Sequence, residues 1–444
     1  MLALNPGWLL FRVIVGLSVL TLLFLSQRFW FRALWRVSRG WGSRAIRVVI
    51  RSAYLLVLLL VIVATYDSIR MGHGRIIPRG TMITALAGLW YFSALFSFIS
   101  VKFVHGFDGL WRSCRRVLRL RRSTANHGTR DFPEVVADPS RRYFFKTATA
   151  VAGATPFLSA VYGFAAERLN YQIRRVEIPV AHLPPALDGM RIAQLSDIHL
   201  SGYMPRSQVR RAVDMANELY ADIAMVTGDF ITGAGDPIAD CIAELGRLRA
   251  PLGVWGCNGN HEIYADAEAL AQRLFAQNGM TLLRHENAQV QFRGASFNLI
   301  GVDYQRERMP SGRKVQMLTA VESLVRSNMP NILMSHNPNS FNRAAELGIE
   351  LSLAGHTHGG QVQVEILDHR LSPARFITDY IAGLYTRPLF EPARTQASGH
   401  FIAAATLHRP AAALYVNRGL GTVGAPVRLG VPPEITLLTL RRSS

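Results

Sequence analysis

A multi-span helical membrane region followed by an α/β domain is the fold class this sequence predicts, and three observations predict it. Charge is divided along the chain: residues 1–175 hold 25 Lys and Arg against 6 Asp and Glu, whereas the other 269 residues carry 24 of each sign. The basic part is punctuated by four apolar stretches long enough to cross a bilayer, which needs about 20 residues. The neutral part alternates short β-rich runs with helical ones, the pattern of an α/β architecture. Over 444 residues, 49% apolar and 18% charged, the composition excludes a disordered chain. A net charge of +19 would suit nucleic acid if it lay on a folded surface, but it sits between apolar runs, which argues for a bilayer as partner and against nucleic acid. Three cysteines (Cys114, Cys241, Cys257) without a CxxC spacing argue against a disulfide framework and a thiolate metal cage.

In chain order, the predicted spans are approximately Trp8–Ser26, Ile46–Tyr66, Gly80–Val104 and Thr147–Ala166. Arg12 in the first, and Arg47 and Arg51 in the second, lie close enough to an end to snorkel to the interface. Trp8, Trp30, Tyr66 and Trp111 near the ends suit interfacial belts. Loop charge then sets orientation. The first loop carries Arg28, Arg32, Arg36, Arg39 and Arg44, and the third is dense in arginine between Arg112 and Arg142, whereas the second has three arginines and one aspartate. The positive-inside rule places loops one and three in the cytoplasm, and the fourth span then delivers the rest of the chain outside. The expected organisation is three spans within 1–110, a basic cytoplasmic loop at 111–146, a fourth span or export signal at 147–166, and a catalytic domain at 178–444.

The fourth span comes after Ser140-Arg141-Arg142-Tyr143-Phe144-Phe145-Lys146 and is rich in Ala, Thr and Gly. This register resembles the bacterial twin-arginine export signal, an address read by a translocase, and not an anchor in itself. Gly163 and Ala165 are small enough for a signal-peptidase site.

In the second half, strands are expected at Arg191–Ser196, Ile223–Thr227, Leu252–Gly256, Phe297–Val302, Ile332–Ser335 and Glu350–Ala354. Helices are expected at Ser207–Leu219, Ile238–Leu248, Ala267–Gln277 and Gln316–Ser327, and Arg387–Arg409 reads as an irregular excursion rich in Pro, Ala and His. The polar residues that matter come directly after the strands. Asp197 and His199 succeed the first, Asp229 the second, and Asn260 and His261 the third; His336 ends Ile332–Ser335, and His356 and His358 succeed Glu350–Ala354. Ligands of open α/β sheets collect beyond the carboxyl ends of strands, so these residues are expected to share one pocket. Carboxylates, imidazoles and one amide oxygen are the wrong donors for a closed structural zinc site. They suit two divalent ions, Mn, Fe, Zn or Co, sharing a carboxylate.

The ordered series Asp-x-His, Gly-Asp, Gly-Asn-His-Glu, Ser-His-Asn-Pro and Gly-His-Thr-His resembles the calcineurin-like metallophosphoesterase superfamily from about Arg191 to Leu440. The Gly-Gly-Gln after the histidine pair and the tail Tyr415–Gly421 resemble a bacterial branch exported by the twin-arginine route. The resemblance implies a sandwich of two mixed sheets flanked by helices, α-β-β-α. It implies that Asp197, His199, Asp229 and His358 hold one metal, that Asp229, Asn260, His336 and His356 hold the second, and that His261 is the proton donor beside the phosphate. Cys257 and Asn258 depart from the apolar residues usual there. Arg418, with Gly419, Gly421 and Gly424, is either a cradle for a distal phosphate or a turn beside the site.

The function these features predict is a metal-dependent phosphoesterase anchored in the bacterial inner membrane. It would hydrolyse mono- or diesters, lipid phosphoesters or pyrophosphates among them, outside the cytoplasm by attack of a metal-activated water. Two alternatives remain open at this stage. One is a cytoplasm-facing pyrophosphatase of a nucleotide-linked lipid such as UDP-diacylglucosamine. The other is a membrane sensor or scaffold using the domain for binding alone. The spans carry no acidic or histidine residue in their interiors, which argues against an ion or proton path.

Overall fold

The structure, a computed structural model, describes residues 6–69, 82–125, 139–307, 313–366, 369–376, 378–389 and 411–443. It divides into two compact units, one built from the N-terminal helices and the other dominated by the chain from Gly163 onward.

The helical unit contains α1 (Pro6–Ser38), α2 (Arg44–Ile69), α3 (Met82–Ala125) and α4 (Pro139–Ala165). Each includes a stretch long and apolar enough to cross a membrane. Three helices extend beyond the apolar runs that define them in the sequence. No breaker comes after Ser26, so α1 continues through its arginines to Ser38 and stops before Gly40. For the same reason α3 carries the basic segment as helix as far as Ala125, where a loop was expected. The arginine pair of the export-like motif lies in the first turn of α4, and Arg141 pairs with Asp108. Polar anchors fix the packing: Trp30 Nε1 donates to the Ala94 carbonyl at 3.0 Å, Trp90 Nε1 to Gln27 Oε1 at 3.1 Å, and Ser97 Oγ to the Gly153 carbonyl at 2.5 Å. Arg51 does not reach outward; it donates to Ser38 Oγ at 2.8 Å and lies over the Trp35 ring. The outer faces are Leu, Val, Ile and Phe, as a lipid solvent requires.

The second unit is a sandwich of two six-stranded mixed sheets. Its strands are β1 (Gln172–Val180), β2 (Arg191–Leu195), β3 (Ile223–Val226), β4 (Val254–Gly256), β5 (Thr281–Leu282), β6 (Glu286–Phe292), β7 (Ala295–Gly301), β8 (Asn331–Met334), β9 (Leu351–Ala354), β10 (Val364–Ile366), β11 (His369–Leu371), β12 (Gly383–Pro388), β13 (Ala411–Val416) and β14 (Glu434–Arg442). One sheet has the order β1-β14-β2-β3-β4-β5 and the other β12-β13-β9-β8-β7-β6, with β10 and β11 as a separate hairpin. In the first, β2, β3, β4 and β5 are mutually parallel and β14 runs against β2; in the second, β7, β8, β9 and β13 are parallel and the edges β6 and β12 antiparallel.

Alternation along the strands builds two cores at once. On β2 and β3, Ile192, Ile223 and Met225 point between the sheets and meet Leu299, Ile332, Met334 and Leu353. Their neighbours Ala193, Leu195, Ala224 and Val226 point outward onto α5 (Arg206–Asn217), α6 (Ile238–Leu245) and α8 (Glu268–Gln277). A short α7 (Asn260–Ala265) precedes α8, and α9 (Phe341–Glu346) covers the second sheet.

The helix expected at Gln316–Ser327 does not form. Only Glu322–Leu324 makes a 3₁₀ turn. Leu318 has φ +58° and gives its N–H to Gln305 Oε1, which removes it from any helical ladder, while Met317, Leu318 and Val321 bury themselves against Ile300 and Leu333. Helical spacing there reports burial, not helix. The sandwich strands β1, β5, β6, β12, β13 and β14 and the hairpin strands β10 and β11 were not anticipated. Of the Arg387–Arg409 excursion, Arg387 and Pro388 end β12, and residues 390–409 lie outside the described residues.

Candidate metal centre

Parallel strands end on the same edge, and here both sheets bring such ends together. After β2 come Asp197 and His199, after β3 Asp229, after β4 Asn260 and His261, after β8 His336, and after β9 His356 and His358. Two groups of donor atoms result, each within 4.8 Å: Asp197, His199, Asp229 and His358 in one, and Asp229, His336 and His356 in the other. Asp229 belongs to both. Asn260 is buried with its Oδ1 unpartnered, and His336 Nε2 lies 3.0 Å from Asp229 Oδ2.

Turning so many side chains inward strains the backbone. Asp197, His199, Asp229, His356 and His358 all have positive φ, between +51° and +75°. Non-glycine residues adopt this region at a cost of order 1–3 kcal/mol each, which persists where the surroundings enforce it. Glycines supply the room: a Cβ at Gly259 would fall on the Asp229 carboxylate, and one at Gly355 on Ser196 and Asp197.

The imidazoles are held by their Nδ1 atoms. His199 Nδ1 donates to the Ile231 carbonyl at 3.1 Å, His336 to that of Thr227 at 2.6 Å, His261 to that of Thr232 at 2.6 Å, and His358 to that of Gly421 at 3.4 Å. A carbonyl only accepts, so each Nδ1 carries a proton, and in the neutral imidazole Nε2 then presents its lone pair. His199 and His358 then aim two Nε2 atoms at each other 3.1 Å apart, with Asp229 Oδ2 at 3.4 Å from the first and Asp197 Oδ1 at 3.3 Å from the second. Imidazole nitrogens and carboxylate oxygens converging in this way fit a divalent cation between them.

Electrostatics agree. Burial pushes Asp229 up, but the imidazoles of His336 and His199 outweigh it and hold its carboxyl well below the usual range. Asp197 is raised by burial and by Asp229. Burial also lowers His358 strongly, and His356 to about 3, so both are neutral and able to ligate.

Several supporting residues carried no role in the sequence reading. Glu262 is fully buried, and its carboxylate accepts the backbone N–H groups of Asp229 (2.9 Å), Phe230 (2.8 Å) and Gly259 (2.8 Å), tying the two ligand loops together. Its place three residues into a helix start, in Gly-Asn-His-Glu, was the available signal. Asn258 Nδ2 donates to Asp303 Oδ1 at 2.7 Å, and Asp303 pairs with Arg284. Arg428 is fully buried and donates to the carbonyls of Arg418, Gly419, Gly421 and Val431. The Arg418 guanidinium lies 3.3 Å from Glu434, and its loop packs beneath Asp197 and His199, where a Cβ at Gly419 or Gly421 would collide with them. His261 is partly buried at the rim, its ring edge-on to His199 at 4.7 Å, and its backbone N–H donates to Asp229 Oδ1 at 2.9 Å.

Residues 190–360 match the calcineurin-like phosphoesterase family. A transmembrane protein with metallophosphoesterase domain from Danio rerio is 28% identical over 98% of this chain and 91% of its own length. The uncharacterized metallophosphoesterase YkuE of Bacillus subtilis is 26% identical over 69% of this chain and 99% of its own. The UDP-2,3-diacylglucosamine pyrophosphatase LpxG of Chlamydia trachomatis is 25% identical over 64% of this chain and 94% of its own.

Proposed function

The chain carries a calcineurin-like phosphoesterase domain and is a metal-dependent phosphoesterase; from that premise we propose a membrane-anchored enzyme with a dinuclear centre, acting on phosphate esters at the bilayer. The observation that carries the reading is the shared position of Asp229 in both donor groups. Asp197, His199, Asp229 and His358 would hold one ion, and Asp229, Asn260, His336 and His356 the other. When bound there, two divalent ions would supply Lewis acidity for activating water and neutralising phosphate oxygens. The chain's own residues do the rest. Backbone carbonyls orient the imidazoles, and Glu262 holds the Asp229 and Asn260 loops in register. His261 donates the proton that the departing alkoxide needs. Its Nδ1–H is fixed on the Thr232 carbonyl, so the transfer runs from Nε2 of the protonated imidazole, a form that burial makes the minor one near neutral pH by lowering the pKa.

We place the domain outside the cytoplasm of a bacterial inner membrane, on the arginine distribution and the motif Ser140–Lys146. The likeness to a UDP-2,3-diacylglucosamine pyrophosphatase favours a second reading, a cytoplasm-facing site cleaving a nucleotide–lipid pyrophosphate. One experiment separates them. Full-length protein is expressed in bacteria, and spheroplasts are treated with protease; the proposed orientation expects cleavage of the catalytic domain, and its loss of export when Arg141 and Arg142 are both changed to Lys. Protection of the native domain in intact spheroplasts would replace the first reading by the second. Nitrophenyl phosphate mono- and diesters with Mn(II) then report which class of phosphate ester the purified chain cleaves.

A further inference from the structure

The helical unit contains a groove of about 990 Å³ among α1, α3 and α4, at the upper end of the size of small-molecule sites. Its two ends differ in chemistry. Arg28, Arg32 and Arg36 succeed one another at four-residue spacing along α1, and Lys102 and His105 line the facing part of α3. Toward the other end the walls are apolar, with Leu25, Phe98, Phe157 and the small residues Gly153 and Ala154. α1 and α3 advance in the same direction, because Gln27 meets Trp90 and Trp30 meets Ala94. The cations of both helices therefore gather at one end of the groove.

Depth supports the same division. The apolar run of α1 ends at Ser26, and Arg28 to Arg36 spans about 12 Å of helix beyond it. That length matches the headgroup layer, which adds roughly 5–8 Å to each side of a hydrocarbon core of about 30 Å, plus the zone just above it. Among the described residues no carboxylate lies within ion-pair distance of Arg28, Arg32, Arg36 or Lys102, and the acid nearest in sequence, Asp108, pairs with Arg112 and Arg141. Lys102 Nζ instead lies over the rings of Phe29 and Phe98, at 5.8 and 5.7 Å. Topology needs positive charge on this side, but it does not need a cleft between three helices with an apolar continuation.

We propose that this groove binds one anionic diacyl phospholipid of the surrounding bilayer. Its phosphate sits among Arg28, Arg32 and Lys102, and one acyl chain lies along Phe98, Gly153, Ala154 and Phe157. Guanidinium forks take phosphate oxygens in pairs, which suits Arg better than Lys at the first two positions.

The test is native mass spectrometry of the full-length protein in detergent, with phosphatidylglycerol and phosphatidylcholine of identical chains added in turn. One phosphatidylglycerol should be retained in preference to phosphatidylcholine. Arg28→Gln with Arg32→Gln should reduce that preference roughly thirtyfold, the worth of two basic side chains at a bilayer surface. Ala154→Trp leaves every charge in place and fills the apolar end; it should abolish retention of the lipid, and it decides the matter if the double glutamine variant fails to insert. Equal retention of the two lipids by the native protein would overturn the proposal. So would an unchanged preference in either variant, since charge without the groove, or the groove without charge, would then suffice.

Discussion

Replacing Arg428 by Met tests how the loop behind the candidate metal ligands is held. The guanidinium is completely buried and faces carbonyl oxygens: Nη2 donates to Arg418 (2.9 Å), Gly419 (2.9 Å) and Gly421 (2.5 Å), Nε to Gly421 (3.2 Å), and Nη1 to Val431 (3.3 Å). Met fills a similar volume and donates nothing. Gly419 would keep the N–H of Glu434 at 3.1 Å, and Gly421 only the long bond from His358. Three carbonyls are thus left poorly satisfied, at about 2 kcal/mol each, or about 6 in all. Against this stands relief of a buried charge: burial lowers Arg428 from 12.5 to about 10, and at 1.36 kcal/mol per pH unit that returns about 3 kcal/mol. The net loss is about 3 kcal/mol. For a unit of about 280 residues, with an unfolding entropy of roughly 0.6 kcal/mol/K, the melting temperature should fall by about 5 °C. A second readout separates positioning from mere stability. Gly421 also receives His358 Nδ1–H, so the variant should bind metal about tenfold more weakly, the low end for a lost partner of a ligand. Differential scanning fluorimetry and metal titration on the full-length protein measure both. An unchanged melting temperature with native metal affinity would refute the argument.

Three further outcomes are expected. Asp229→Asn should lower metal content and turnover together, because one side chain serves both donor groups; plasma mass spectrometry finding two metals per chain with near-native turnover would dismiss the shared-ligand assignment. His261→Gln should cost about a hundredfold to ten-thousandfold in turnover of alkyl esters, much less for nitrophenyl esters, and leave metal content unchanged, since leaving groups that need no proton need no acid. Finally, burial alone would lower His336, but Asp229 and Asp197 outweigh it and push it up to about 10 in the metal-free protein. Its proton must leave for the imidazole to ligate, so metal affinity should fall about tenfold per unit as pH drops from 9 to 7, with one proton released per site by calorimetry in two buffers. A folded-state pKa raised above about 6.5 stabilises fully below that value and loses the gain as pH rises through 10. The stripped protein should therefore melt lower at pH 10 than at pH 7, and a flat profile would show that His336 is not held by the two aspartates.

The sequence by itself determined that apolar helices precede an α/β domain and which polar residues gather at the edge of its sheets, for local reasons. Uninterrupted apolar runs between arginine clusters have one stable solution, so the four spans were legible. Short apolar runs ending in Asp, Asn or His showed six of the sandwich strands and the residues Asp197, His199, Asp229, Asn260, His261, His336, His356 and His358, because parallel strands deliver the residues at their carboxyl ends to one edge. Only tertiary structure decided the rest. β1 and β14 pair parallel across more than two hundred residues of intervening chain, and no local signal announces such a partner. The apolar spacing of Met317, Leu318 and Val321 reads as helix until Gln305, distant in register, captures the Leu318 N–H. Glu262 and Arg428 became meaningful only when folding set their charges against backbone groups from other loops. A candidate ligand set can be read from residue types in order, whereas the hydrogen bonds that orient it run between segments far apart in sequence and exist only after the sheets have closed on each other.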